Sequence, residues 1–174
     1  MTGADQQGVT MDTGHQARAT AVWPWISTAA RIALAAVFLV AGATKVGDLA
    51  ASARAVNAYR LMPFEAAKVV GAVLPFVEIA LGLLLLAGIA VRLNAAIAAV
   101  LLVVFLIGIV SAWARGLRID CGCFSAGGDL GAGQSPTYGR ETLRDIGFLV
   151  MAGVLLWRPR TRLSMDGILL GDDA

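Results

Sequence analysis

Two long apolar runs constrain what this chain can fold into. Val69 to Ala90 carries a single charge, Glu78, and Leu93 to about Trp113 is almost entirely Ala, Leu, Val, Ile and Phe. Each is near the ~20 residues needed to cross a ~30 Å hydrocarbon core, and a bilayer requires every backbone polar group of a crossing segment to be satisfied internally. Both are therefore read as transmembrane helices. Of the 174 residues, 58% are hydrophobic and only 15% charged, too much apolar surface for a water-soluble fold of this size to bury. The lipid bilayer is the first partner.

Two weaker runs complete the count. Thr28 to Gly42, extending to Val46 if Lys45 snorkels, follows the interfacial Trp23-Pro24-Trp25 and has Arg31 in its first turn. Leu143 to Trp157 begins beside Arg144 and Asp145, which read as an interfacial pair, and is stopped by Arg158-Pro159-Arg160. This last span has only about fifteen apolar residues, which suits a thin bilayer or contact with another subunit in a homo- or hetero-oligomer. The expected fold is all-α: an integral membrane four-helix bundle over residues 28–158. A disordered polar tail is expected over 1–27, and a charged cytoplasmic tail over 159–174. A net charge of +2, without Lys/Arg runs interleaved by aromatics, excludes a nucleic-acid partner.

The connections differ in character. Residues 44–68 place Leu49, Ala53, Val56 and Tyr59 on one side and Arg54 and Arg60 on the other, the pattern of a short amphipathic helix, either lying on the interface or solvated as a loop helix. Arg92-Leu93-Asn94 reads as a tight turn. Four spans put both termini on one side. The Arg158, Arg160, Arg162 cluster and Arg92 in its very short turn assign that side to the cytoplasm of a multi-pass cell-membrane protein. The glycine-rich connection from Gly116 to Gly139 then faces outward.

That connection holds both cysteines, Cys121 and Cys123. A disulfide between residues two apart departs from the preferred Cα spacing and closes almost no loop, so it is easily reduced and a poor staple. Three readings remain: a redox-active dithiol, half of a metal site completed by another chain, or two small buried residues in a turn. The single His15 lies in the polar tail, so the chain supplies no metal site by itself. Arg115 and Arg118 upstream favour the thiolate, and Asp120 opposes it. Glu78, near mid-depth, marks either a proton relay or a structural ion pair, with Lys45 as the partner. Pro75, three residues before it, is expected to kink the helix.

Four segments together resemble a known family: Ala41-Gly42-Ala43-Thr44-Lys45, Leu74-Pro75-Phe76-Val77-Glu78 with Gly82, Asp120-Cys121-Gly-Cys123-Phe124, and Thr142-Leu143-Arg144-Asp145. Their order is similar to that in the DoxX-like superfamily, and in its MauE (methylamine utilisation) branch in particular, over about Ala29 to Trp157. Ser125 stands where that branch usually has Gly. The resemblance implies a four-helix membrane protein of thiol–disulfide chemistry. Cys121 and Cys123 would exchange electrons with an extracytoplasmic thioredoxin-like partner, in support of the maturation of disulfide-containing proteins. Relatives in the wider superfamily suggest a quinone as cofactor. The competing expectation is a non-catalytic assembly or scaffold subunit sharing a metal at the cysteine pair.

Overall fold

The computed structural model describes residues 9–120, 127–131 and 133–158, with side chains from Val22 onward. Cys121, Cys123 and the C-terminal tail lie outside the described residues. Five helices and one small hairpin follow in order: α1 (Val9–Val46), α2 (Leu49–Ala58), α3 (Phe64–Ala87), α4 (Val91–Ala114), β1 (Ile119–Asp120), β2 (Gly128–Asp129) and α5 (Tyr138–Trp157).

Among the described residues, three helices are long and apolar enough to cross a membrane: the Val22–Val46 part of α1, α3 and α4. At 1.5 Å per residue, 24 residues reach about 36 Å, more than the hydrocarbon thickness. Their outward faces remain apolar, with Val69, Val100 and Ile107 each more than 60% exposed. An unpartnered apolar surface of that extent belongs against lipid. α5 packs on α4 and α1 as the fourth member of an all-α membrane bundle.

α5 departs from the expected short span. It begins at Tyr138 and runs for 20 residues, so the helix is long enough for the bilayer. Its first turns are polar, yet Glu141 and Asp145 are buried against the protein. Their four-residue spacing puts both on one face, and an apolarity count along the sequence does not see that they point inward.

Helix α1 also exceeds its expected start, beginning at Val9 within the stretch read as a disordered tail. Gln16, Ala17, Arg18, Ala19 and Ala21 are good helix formers, which accounts for the extension. Arg31 lies inside the bundle. It is 2% exposed, and its Nη1 donates to the carbonyls of Leu85 and Leu86, each at 3.1 Å. These carbonyls belong to the last turn of α3, where a helix lacks internal partners and carries partial negative charge.

The turn between α3 and α4 lies earlier than the sequence suggests. Gly88 adopts φ 70°, and its N–H closes on the carbonyls of Leu84 and Leu85, which ends α3 at Ala87. Arg92, Leu93 and Asn94 therefore belong to the first turn of α4. Asn94 Nδ2 donates to the Ile89 and Ala90 carbonyls at 2.7 and 3.3 Å, bracing the turn from within that helix.

Small residues set the spacing of α1, α2 and α3. A Cβ on Gly42 would come within 2.7 Å of the Pro75 carbonyl oxygen, and one on Gly82 within 2.7 Å of Leu39 Cγ. Close backbone approach of this kind drives helix association in lipid, where burying apolar surface between helices gains little over leaving it in lipid. α2 follows the break at Gly47-Asp48, with Asp48 capping it through a 2.8 Å bond from Ala51 N. Ala53 is buried and Arg54 and Arg60 are exposed, as the two-sided pattern of this helix requires. Its small-residue face packs on α3 and on β2.

Candidate functional site

The cysteine segment is framed by a short antiparallel hairpin, in which Ile119 pairs with Asp129 and Asp120 with Gly128. A further bond runs from Leu130 N to the Arg118 carbonyl at 2.9 Å. Gly127 and Gly128 both have positive φ, 64° and 106°, so the return into β2 uses backbone conformations that side chains disfavour.

Tyr138, the first residue of α5, anchors this hairpin. It is 6% exposed, its hydroxyl donates to the Leu117 carbonyl, and it accepts from Ile119 N at 3.1 Å. Its ring stacks on Trp113 with centroids 6.2 Å apart. Ile119, Tyr138, Ala58, Ile109 and Ala112 form a second apolar core beneath the hairpin, joining it to α2, α4 and α5. Replacing Tyr138 with Phe keeps the packing but strands a buried N–H and a carbonyl, a loss of about 1–3 kcal/mol. The expected result is faster amide hydrogen exchange at Ile119 with little change in the transmembrane helices.

The two arginines named from the sequence separate. Arg118 donates to the Gln134 carbonyl and ties β1 to the segment that leads into α5. Arg115 donates to the Tyr59 and Arg60 carbonyls, and to Ser111 O at 3.1 Å, clasping the end of α2 to the end of α4. Both guanidiniums therefore hold backbone. Asp120 lies on the wall of a cleft of about 340 Å³, together with Gln134, Thr137 and Glu141.

Below the hairpin two ion pairs occupy the bundle. Lys45 Nζ donates to both carboxylate oxygens of Glu78, at 2.7 and 2.9 Å, with side-chain exposures of 10% and 1%. This contact joins the last turn of α1 to α3, one turn beyond Pro75, which lies within α3 and does not end it. Arg144 Nε donates to Asp145 Oδ1 at 3.0 Å. Asp145, read from the sequence as interfacial, is 2% exposed. Glu78 and Asp145 both border a small, apolar-lined cavity of about 20 Å³, together with Val37, Phe38, Leu102 and Phe148.

Sequence reasoning missed one member of this arrangement and one of its juxtapositions. Glu141 is buried and accepts from Thr137 Oγ1 at 3.0 Å. Its four-residue spacing from Asp145 was the available signal, hidden because the helix was taken to begin at Leu143. The meeting of Asp145 with Glu78 had no local signal, since the two residues lie on different helices. No group of three or more His, Cys, Asp or Glu able to hold a metal occurs among the described residues.

The family model described as methylamine utilisation protein MauE matches residues 23–158. No curated protein and no solved structure matches the chain. The matched stretch extends from the aromatic start of the first span to the arginine after α5, and so contains all the crossing helices and the cysteine hairpin. This multi-pass membrane protein therefore belongs to the MauE family.

Proposed function

We propose that the protein is a membrane thiol–disulfide redox protein whose Cys121 and Cys123 exchange electrons with an extracytoplasmic thioredoxin-like protein. The observation that carries this reading is the placement of the only two cysteines of the chain between paired strands whose bases are tied down by Tyr138 and Arg118. A rigid base with a glycine-bearing return suits a pair of thiols that another protein's disulfide must reach. The positions of Arg115 and Arg118 on backbone carbonyls make them positioning residues in this scheme.

The exchange balances without a further reactant. A thiolate of the pair attacks one sulfur of the partner disulfide, forming a mixed disulfide and releasing a partner thiolate. The second thiol of the pair then loses its proton and attacks the mixed disulfide. The Cys121–Cys123 disulfide forms, the partner leaves as a dithiol, and two electrons and two protons have moved. The reverse sequence reduces the pair.

Converting both Cys121 and Cys123 to Ser is expected to abolish exchange with the partner, and each single variant to trap a mixed disulfide visible on non-reducing gels. Undiminished partner oxidation state and function in the double variant would refute the redox reading and favour a scaffold subunit. In the proposed orientation both termini are cytoplasmic, so a membrane-impermeant thiol reagent labels the reduced pair in intact cells. Labelling confined to inverted vesicles would reverse the topology.

A further inference from the structure

A second cleft, of about 250 Å³, lies where α4 ends and α5 begins, and it shares only Pro136 with the cleft at Asp120. Its wall includes the stacked rings of Trp113 and Tyr138, the Arg118 side chain, and Gly116 and Gly139, at which an added Cβ would meet no atom within 4 Å. No carboxylate belongs to this wall, so Arg118 is its one charged group. The bond to the Gln134 carbonyl is the only one that the Arg118 guanidinium makes among the described residues, which leaves further N–H donors of the group unused. The Tyr138 hydroxyl, by contrast, is already engaged by Leu117 and Ile119. α4 is longer than the hydrocarbon is thick, so its last turn, with the exposed Trp113, stands at the level of the lipid headgroups. One turn deeper, Val110 continues the Trp113 face of α4 and Leu143 continues the Gly139 face of α5, and both are exposed.

We propose that this cleft binds the headgroup of an anionic phospholipid, with Arg118 on the phosphate and the acyl chains descending over Val110 and Leu143. The planar guanidinium offers its unused N–H groups to phosphate oxygens as charge-assisted hydrogen bonds. The Trp113 ring, apolar with one polar edge, packs where the headgroup gives way to the chains. A free phosphate would meet Arg118 equally well, but it would leave the exposed apolar faces directly below the cleft without a role. A phospholipid joins the two. An arginine with no carboxylate in the same wall favours a head of net negative charge over a zwitterionic one. Arg118 also ties β1 to the segment leading into α5, so a lipid held on it fixes the base of the hairpin at the membrane surface. The site does not depend on the thiol chemistry of the hairpin.

Native mass spectrometry of the full chain in detergent tests this, with phosphatidylglycerol and phosphatidylcholine of identical acyl chains as the probes. Lipid held at other arginines is common to the wild type and its variants, so the difference between them reads this cleft. The wild type is expected to retain one phosphatidylglycerol about tenfold more tightly than phosphatidylcholine, and Arg118→Gln to lose that preference. Because Arg118→Gln also frees the Gln134 carbonyl, Gly139→Leu provides the second variant: it fills the cleft from a position where the new side chain starts without a clash, and it leaves the Arg118 bond in place. It should lose the same lipid at an unchanged melting temperature. The Cys121→Ser, Cys123→Ser double variant should keep the lipid, which separates this site from the redox reading. Equal retention of phosphatidylglycerol by the wild type, Arg118→Gln and Gly139→Leu would overturn the proposal. So would loss in Arg118→Gln alone, which would place the lipid outside the cleft, or equal retention of the two lipids by the wild type. Displacement of the lipid by millimolar inorganic phosphate would overturn the lipid assignment in favour of a free anion.

Discussion

Replacing Lys45 with Met is expected to destabilise the protein by about 3–5 kcal/mol, the range found when one partner of a buried ion pair is removed and the other is left as an uncompensated charge. Glu78 is 1% exposed and both its oxygens accept from Lys45, so the loss falls on a carboxylate with no route to water. The expected observation is a large fall in the thermal midpoint in detergent or nanodiscs. The Lys45→Met, Glu78→Met double variant should recover most of it, because two apolar side chains replace both charges together. A single variant as stable as the wild type would mean that Glu78 finds another cation or a proton when Lys45 is gone. A double variant as unstable as the single one would show that the pair acts through packing alone. The pair joins the end of α1, just before the Gly47-Asp48 break, to α3 one turn past Pro75. Its removal should therefore loosen the point from which α2 turns toward the hairpin.

Gly71→Val is the second substitution expected to have a large effect. A Cβ at this position would stand 2.5 Å from Ala53 Cα and 2.6 Å from Ala53 N. Both are backbone atoms, so no rotamer change relieves the clash, and α2 must lift from α3. Overpacking of this kind costs about 1–3 kcal/mol, occasionally more. The loss should be local: faster hydrogen exchange over residues 49–58, with α4 and α5 little altered. Gly153→Ala serves as the control, since nothing lies within 4 Å of the added methyl on the exposed face of α5. There a gain of up to about 1 kcal/mol in helix propensity is expected. Equal exchange over 49–58 in the Gly71 variant and the wild type would show that α2 is not held by this contact.

The two results bear on one structural point. α2 is the piece that connects the membrane bundle to the hairpin: its small-residue face lies on α3, it contacts β2, and its end is clasped by Arg115. The Gly71–Ala53 contact attaches it to α3, and the Lys45–Glu78 pair fixes the end of α1 from which it departs. If the hairpin presents a redox pair, looseness in either attachment should reduce mixed-disulfide formation without touching the cysteines.

The membrane environment and the all-α class were legible in the sequence because they depend on the solvent that an apolar run must face. The runs around Glu78 and between Arg92 and Trp113 could not be exposed to water at any tertiary arrangement. The cysteine pair stands out as a candidate for a similar reason, since two thiols two residues apart have few uses, but both lie outside the described residues. Boundaries were less so. The start of α5 was masked by Arg140, Glu141, Arg144 and Asp145, since polarity along a chain does not say which side of a helix is polar. The partners of Arg31 were equally hidden, its charge being matched by α3 carbonyls more than fifty residues away in sequence.

What the sequence alone determined was therefore local: which segments cross lipid, which residue types could carry chemistry, and that Glu78 needed a partner. Only the tertiary structure decided which groups meet. It turned Glu141 and Asp145 inward, brought Asp145 and Glu78 to the border of one cavity, laid α2 on α3, and fixed the hairpin through Tyr138. These are relations between helices distant in the chain. They depend on interhelical distance and facing side chains, which no window of neighbouring residues contains.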